Sequence, residues 1–206
     1  MGRSFAELAF TPLVKEQQQR HGSRESYRRV EERGEHDARL GPEEREFIAA
    51  RDGFYMATVS ETGWPYIQYR GGPKGFLRVL DDQTLGFADL RGNKQYISVG
   101  NLNHDDRVAL FLMDYVEQRR LKILGRVKVA EGTDEAAKLI AELNIPEKYS
   151  VPERAMTIHV EAFDWNCPQH ITPRFTLAEI ERVAAPLHQR IAELEQQLSK
   201  SEAAAV

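Results

Sequence analysis

Val108-Ala109-Leu110-Phe111-Leu112-Met113-Asp114 and, shortly after it, Arg119-Arg120-Leu121-Lys122-Ile123-Leu124-Gly125-Arg126-Val127-Lys128-Val129 decide the fold. The first run is apolar at consecutive positions, as in a strand buried on both faces. In the second, Leu121, Ile123, Gly125, Val127 and Val129 alternate with Arg120, Lys122, Leu124, Arg126 and Lys128, so one face is apolar and the other basic. Period two extends outward from this pair, from Gly53 to Phe163. Phe54 to Val59 leads into the turn signal Glu61-Thr62-Gly63, and Tyr66–Tyr69, Phe76–Leu80 and Thr84–Ala88 follow. Asp81-Asp82-Gln83 is too short for a crossover helix, so its flanking strands must be antiparallel neighbours. Met156, Ile158, Val160 and Ala162 alternate once more. About six strands result, interrupted by helices near Asn93–Asn101 and Thr133–Leu143. The class is α+β, mainly β with helices, and a small six-stranded antiparallel barrel is the economical way to remove the strand edges.

The flanks are helical. Thr11-Pro12 reads as an N-cap with proline at the first helical position, Ser23 can cap a second segment ending near Gly34, and Pro42 to about Arg51 is a third helix burying Phe47 and Ile48. Phe5, Leu8, Leu13, Val14, Tyr27 and Val30 are too sparse for a core of their own, so this arm docks on the main domain or on a partner chain. At the other end, Thr176 and Glu179 form a capping box, and Leu187, Ile191, Leu194 and Leu198 have coiled-coil spacing, with Pro186 expected to break the first half; two heptads are too few to specify a lasting coiled coil, so this helix is expected to pack on the body or to pair within a dimer whose main interface lies elsewhere. The expected division is a helical arm over 1–45, a barrel domain over 46–175 and a C-terminal helix over 176–206.

Among 206 residues, 28 Lys and Arg stand against 32 Asp and Glu, a net charge of -4 that does not favour a nucleic-acid partner. The longest apolar run, Val108 to Met113, is far short of the roughly 20 residues of a membrane-spanning helix. Met1-Gly2-Arg3-Ser4-Phe5 has neither an apolar signal core nor a myristoylation pattern, and the single Cys167 excludes an intrachain disulfide framework. Together these features predict a cytoplasmic protein.

The motifs of nucleotide hydrolases, Rossmann proteins, serine hydrolases and zinc proteases are absent. Cys167 and His170, with His104 and His159 elsewhere, lack the spacing of a closed metal site, and no metal is expected. The informative stretch is Arg70-Gly71-Gly72-Pro73-Lys74-Gly75-Phe76, then Asp89-Leu90-Arg91-Gly92-Asn93-Lys94-Gln95-Tyr96, then Gly100-Asn101-Leu102. Glycines between cations let amides and point charges converge on a phosphate, and the Gly92-Asn93-Lys94 turn would set amides at a helix N-terminus. Tight strand connections with solvated cations read equally from these residues alone. The concentration of Arg70, Lys74, Arg91, Lys94, Arg119, Arg120 and Lys122 in an acidic chain favours the anion site.

The pattern resembles the pyridoxamine 5′-phosphate oxidase-like family of split-barrel flavin-binding proteins, in particular its branch of predicted flavin-nucleotide-binding proteins. The resemblance rests on Phe47-Ile48, Ala57-Thr58-Val59, Gly63 with Pro65, Arg70 to Phe76, Arg91 to Tyr96, Gly100 to Leu102 and Arg120 to Gly125 in order and spacing. It implies a split barrel and a homodimer binding FMN in two equivalent clefts between subunits. It further implies that Asn93-Lys94-Gln95 lies at the phosphate-binding turn, that Arg120 and Lys122 face the flavin, and that Trp165 and Arg174 lie near the residues closing over it. The cofactor-binding set is then Arg70, Lys74, Arg91, Asn93, Lys94, Gln95, Arg120, Lys122, Trp165, Asn166 and Arg174. Asn93 stands in place of the oxidase's serine and Arg120 in place of its glutamine, and the Arg70-to-Lys74 spacing differs, which points away from a vitamin B6 substrate. The expected function is flavin-dependent oxidation or reduction of a small molecule, with an electron donor such as NAD(P)H. The other readings are a flavin carrier, sensor or redox partner without turnover, and a split barrel holding haem or a deazaflavin.

Overall fold

The two deciding stretches pair antiparallel as β5 (Arg107–Asp114) and β6 (Arg119–Ala130), with Val108 opposite Gly125 and Asp114 opposite Arg119. The computed structural model describes residues 3–33, 38–143, 145–146, 149, 151–165 and 169–204. Its other strands are β1 (Gly53–Val59), β2 (Pro65–Gly71), β3 (Arg78–Val79), β4 (Thr84–Leu90) and β7 (Pro152–Trp165). All belong to one sheet in the order β2-β1-β5-β6-β7-β4-β3, and each pairing is antiparallel.

The sheet has seven strands, one more than expected, and β3 is only two residues long. Most of the predicted Phe76–Leu80 strand is not paired. Gly75 takes a positive φ of 75°, Phe76 donates its N–H to Pro73, and Phe76 and Leu77 are spent on the core instead.

Rolling of the sheet follows from contacts between strands far apart in its order. Arg70 on β2 is ion-paired with Asp89 on β4, and the Phe54 ring on β1 lies 5.3 Å from Phe87 on β4 and 5.6 Å from Phe76. The alternate residues of each strand thus meet inside a barrel: Phe54, Met56, Leu85, Phe87, Leu110, Leu112, Leu121, Ile123, Ile158 and Val160 belong to one buried cluster. Gly125 is required where β6 shifts register against β7, because a Cβ there would lie 2.4 Å from the His159 carbonyl oxygen.

β5 departs from its reading as a strand buried on both faces. Val108, Leu110 and Leu112 enter the core, whereas Ala109 is exposed and Phe111 and Met113 are half-buried. Consecutive apolar residues here serve two surfaces, the barrel interior and an outer trough.

The helices are α1 (Arg3–Ala9), α2 (Pro12–Arg20), α3 (Arg24–Arg33), α4 (Pro42–Ala49), α5 (Ile97–His104), α6 (Asp134–Leu143) and α7 (Leu177–Ala204). Thr11 caps α2 by accepting from the Val14 N–H, and Phe47 and Ile48 of α4 are buried as expected. The arm docks on the barrel through buried Phe5 and Ala6 of α1. α5 starts later than predicted because Asn93 Oδ1 accepts the Gln95 N–H at 3.2 Å, and Lys94 and Tyr96 are left-handed. Thr176 and Glu179 form the expected box at the start of α7, but Pro186 does not break that helix. The donor that proline removes would have bonded the Arg182 carbonyl, and both residues are exposed, so water can satisfy that oxygen. No helix among the described residues is long and apolar enough to cross a membrane.

Candidate functional site

Period two makes β2 a two-sided strand, and Tyr66, Gln68 and Arg70 turn to one side of it. There they meet the end of β4 (Asp89, Leu90), the turn Gly92 to Tyr96, the start of α5 (Ile97, Ser98, Val99), and Glu153 and Arg154 of β7, which together line a polar cleft of about 470 Å³. The structure therefore brings together four of the sequence-predicted residues: Arg70, Asn93, Lys94 and Gln95.

Charge is arranged in a chain. The Arg70 guanidinium pairs with Asp89 Oδ1, Arg154 Nη1 reaches Asp89 Oδ2 at 2.9 Å, and Arg154 Nε reaches Glu131 at 2.8 Å. The side chains of Arg70, Asp89 and Arg154 retain 9, 7 and 9% of their exposure. Burial pushes the Arg70 guanidinium below its ordinary pKa, with Asp89 opposing the shift. Arg70 Nε is buried and has no hydrogen-bond partner among the described residues. Gln68 Oε1 accepts from Ser98 Oγ at 2.8 Å and is 3.4 Å from Arg70 Nη2, so the amide side chain is held by its two neighbours. At the mouth, Tyr96 Oη donates to Glu153 Oε1 at 3.4 Å, and the Arg154 guanidinium lies 5.2 Å from the Tyr96 ring centre.

The cleft thus carries three cations, Arg70, Lys94 and Arg154, against the carboxylates of Asp89 and Glu153. That set, with an unused buried guanidinium donor and a left-handed turn beside it, fits the phosphate of a flavin nucleotide. Left-handed backbone at Lys94 and Tyr96, neither of them glycine, costs free energy that surrounding structure must hold in place.

The other predicted residues lie elsewhere. Arg91 is bonded to Glu153 at 3.0 Å but does not line the cleft, and Lys74 is exposed in the turn before Phe76. Lys122 pairs with nearly buried Asp164 at 2.5 Å and lies 4.8 Å from the Phe5 ring centre. Arg120 sits over Phe111 at 5.4 Å, and Arg174 over Tyr115 at 5.0 Å. Trp165 donates its indole N–H to Glu44 at 2.8 Å and packs edge-on against Phe47 at 4.8 Å. Asn166 and Cys167 lie outside the described residues. His104 and His159 are exposed, and no group of three metal-ligating side chains occurs among the described residues.

Sequence reasoning missed Asp89, Gln68, Ser98 and Arg154 as members of the cleft. The β2 alternation could have placed Gln68 beside Arg70; the Asp89 and Arg154 partnership depends on sheet closure and has no local signal.

A second concavity lies on the outer side of β1, β5 and β6, an apolar trough of about 1030 Å³. Tyr55, Ala57, Ile67, Ala109, Phe111, Met113 and Leu124 line it, with Phe5 and Lys122 at one side.

Three solved structures are similar to this chain. HupZ of Group A Streptococcus is 20% identical, covering 66% of this chain and 99% of its own, with a TM-score of 0.48. A Clostridium acetobutylicum protein related to general stress protein 26, of the pyridoxinephosphate oxidase family, is 16% identical over 67% of this chain and 94% of its own, TM-score 0.42. HutZ, the haem storage protein of Vibrio cholerae, is 16% identical over 62% of this chain and 94% of its own, TM-score 0.41. None of the curated proteins matches the chain in sequence. Residues 40–165, from buried Leu40 to the end of β7, match the family model described as pyridoxamine 5′-phosphate oxidase, and the chain belongs to that family.

Proposed function

We propose that this chain binds FMN and acts as a flavin-dependent oxidoreductase on a small molecule, as a homodimer in the cytoplasm. The observation that carries the reading is the buried, unbonded Nε of Arg70 in a cleft with an excess of cations. A phosphate dianion would satisfy that donor, which otherwise costs desolvation free energy. Arg70, Asn93, Lys94 and Gln95 hold the phosphate in this reading, while Gln68 orients the group beyond it. Asp89 fixes the Arg70 guanidinium in place, so the cation need not be ordered when ligand arrives. When bound, FMN supplies electron and hydride transfer. The trough supports the homodimer: Ile67 is 63% exposed beside Phe111 and Met113, an apolar surface that a twofold partner would cover and keep dry.

The test is the visible spectrum of the purified protein, followed by titration of Lys94→Ala with FMN and with riboflavin. Loss of one charge-assisted contact is worth about 1.5–3 kcal/mol, so FMN should bind roughly ten- to a hundredfold more weakly while riboflavin, lacking the phosphate, is unaffected. Equal losses for both ligands would remove the phosphate from this cleft. A Soret band, or a deazaflavin spectrum, in place of flavin bands would overturn FMN as the cofactor. Anaerobic NADH or NADPH should bleach the bound flavin; a bound flavin that neither reduces leaves a carrier or sensor.

A further inference from the structure

α7 carries a seam that the barrel does not use. From Leu177 the spacing runs three, four, three, four, three, four, through Ile180, Ala184, Leu187, Ile191 and Leu194 to Leu198. This is an unbroken heptad pattern, with Leu177, Ala184, Ile191 and Leu198 at a positions and Ile180, Leu187 and Leu194 at d positions. Side chains that a packed helix would bury are open here: Leu187 is 64% exposed and Leu198 61%. At 1.5 Å per residue the seam is about 33 Å long. Pro186 and Arg182, the site of the missing backbone bond, fall at c and f positions on the outer side, so the defect leaves the seam intact.

We infer that α7 pairs with α7 of a second copy of this chain as a parallel two-stranded coiled coil. The flanking charges select the occupant and its direction. In a parallel pair the g position of one helix faces the following e position of the other, which sets Arg190 opposite Glu195 twice by symmetry. The antiparallel arrangement sets Arg190 against Arg190 and Glu181 against Glu195, like charges in both cases. In the middle of the seam, Ile191 at a between Leu187 and Leu194 at d favours two parallel strands, whereas Leu177 at a with Ile180 at d, where the seam begins, does not. Within one chain Arg190 pairs with Glu193 of its own helix, at 3.1 Å and largely exposed, a pair it can exchange at little cost. The inference does not depend on the flavin reading.

The experiment uses the full chain with Cys167→Ser, carrying either Leu194→Cys at a d position or Gln196→Cys at an f position two residues away. Under mild oxidation at low concentration, Leu194→Cys should convert most of the chain to a disulfide-linked dimer and Gln196→Cys very little, because only facing d positions bring Cβ atoms within disulfide reach. Equal cross-linking of both, or of neither, overturns the seam. Arg190→Glu added to Leu194→Cys should slow cross-linking several-fold at low salt, and Arg190→Glu with Glu195→Arg should restore it. Failure of the double exchange to restore the rate overturns the parallel register. The flavin spectrum of each variant, with α7 outside the cleft, separates a failure here from a failure of FMN binding.

Discussion

β2 borders two surfaces of opposite character. On one side Tyr66, Gln68 and Arg70 line a cleft in which charges answer one another within the chain; on the other, Ile67 joins an apolar trough with Tyr55, Ala57, Phe111 and Met113. The cleft is held by directional contacts to β4, α5 and β7, so its shape exists before any ligand arrives. Much of the trough wall remains exposed, and its stabilisation must come from whatever covers it. Polar sites can be finished inside one chain by ion pairs, whereas an apolar face is completed only by another surface.

The largest effect expected is on the polar side. Asp89→Ala would leave two nearly buried guanidinium groups, Arg70 and Arg154, without their shared carboxylate, which costs about 3–5 kcal/mol. Urea unfolding measures it, and a loss under about 1 kcal/mol would mean that water already reaches both cations through the cleft. Next is the apolar side: Ile67→Asp sets a charge in the trough and, if a second copy covers it, should weaken self-association by about 2 kcal/mol or more. Sedimentation equilibrium reads this directly, and an unchanged mass distribution would remove the trough from the dimer interface. The smallest effect is at the end of β5, where Asp114 meets Arg51 at 2.6 Å. Burial works to raise the Asp114 pKa, but the Glu117 N–H at 2.9 Å and the Arg51 charge outweigh it and hold the carboxyl below its ordinary value. A depressed folded pKa stabilises above the unfolded value and is lost as pH falls through the folded one. Stability should therefore decline as the pH drops below about 4, and Asp114→Asn should flatten that part of the profile. An acid limb of unchanged steepness would show that the pair contributes nothing measurable.

Particular residues show how far sequence reading reaches. Thr11 as a cap, the Thr176–Glu179 box and the alternation of β6 were legible because each is a property of near neighbours along the chain. The start of α5 was misjudged since an Asn93 side-chain bond and two left-handed residues redirect a turn that glycine and lysine alone leave undefined. The same holds for Pro186, whose consequence depends on which side of the helix faces water.

Near neighbours along the chain are enough to give the antiparallel sheet, its hairpins and the presence of Arg70, Asn93, Lys94 and Gln95 on turns and strand ends, because hydrophobic period and turn chemistry act over a few residues. Closure of β2 against β4, which joins Arg70 to Asp89 and Arg154, and the trough on the outer face of β5 arise from long-range packing. Those contacts link strands distant in sequence through the curvature of the whole sheet, which no local pattern encodes.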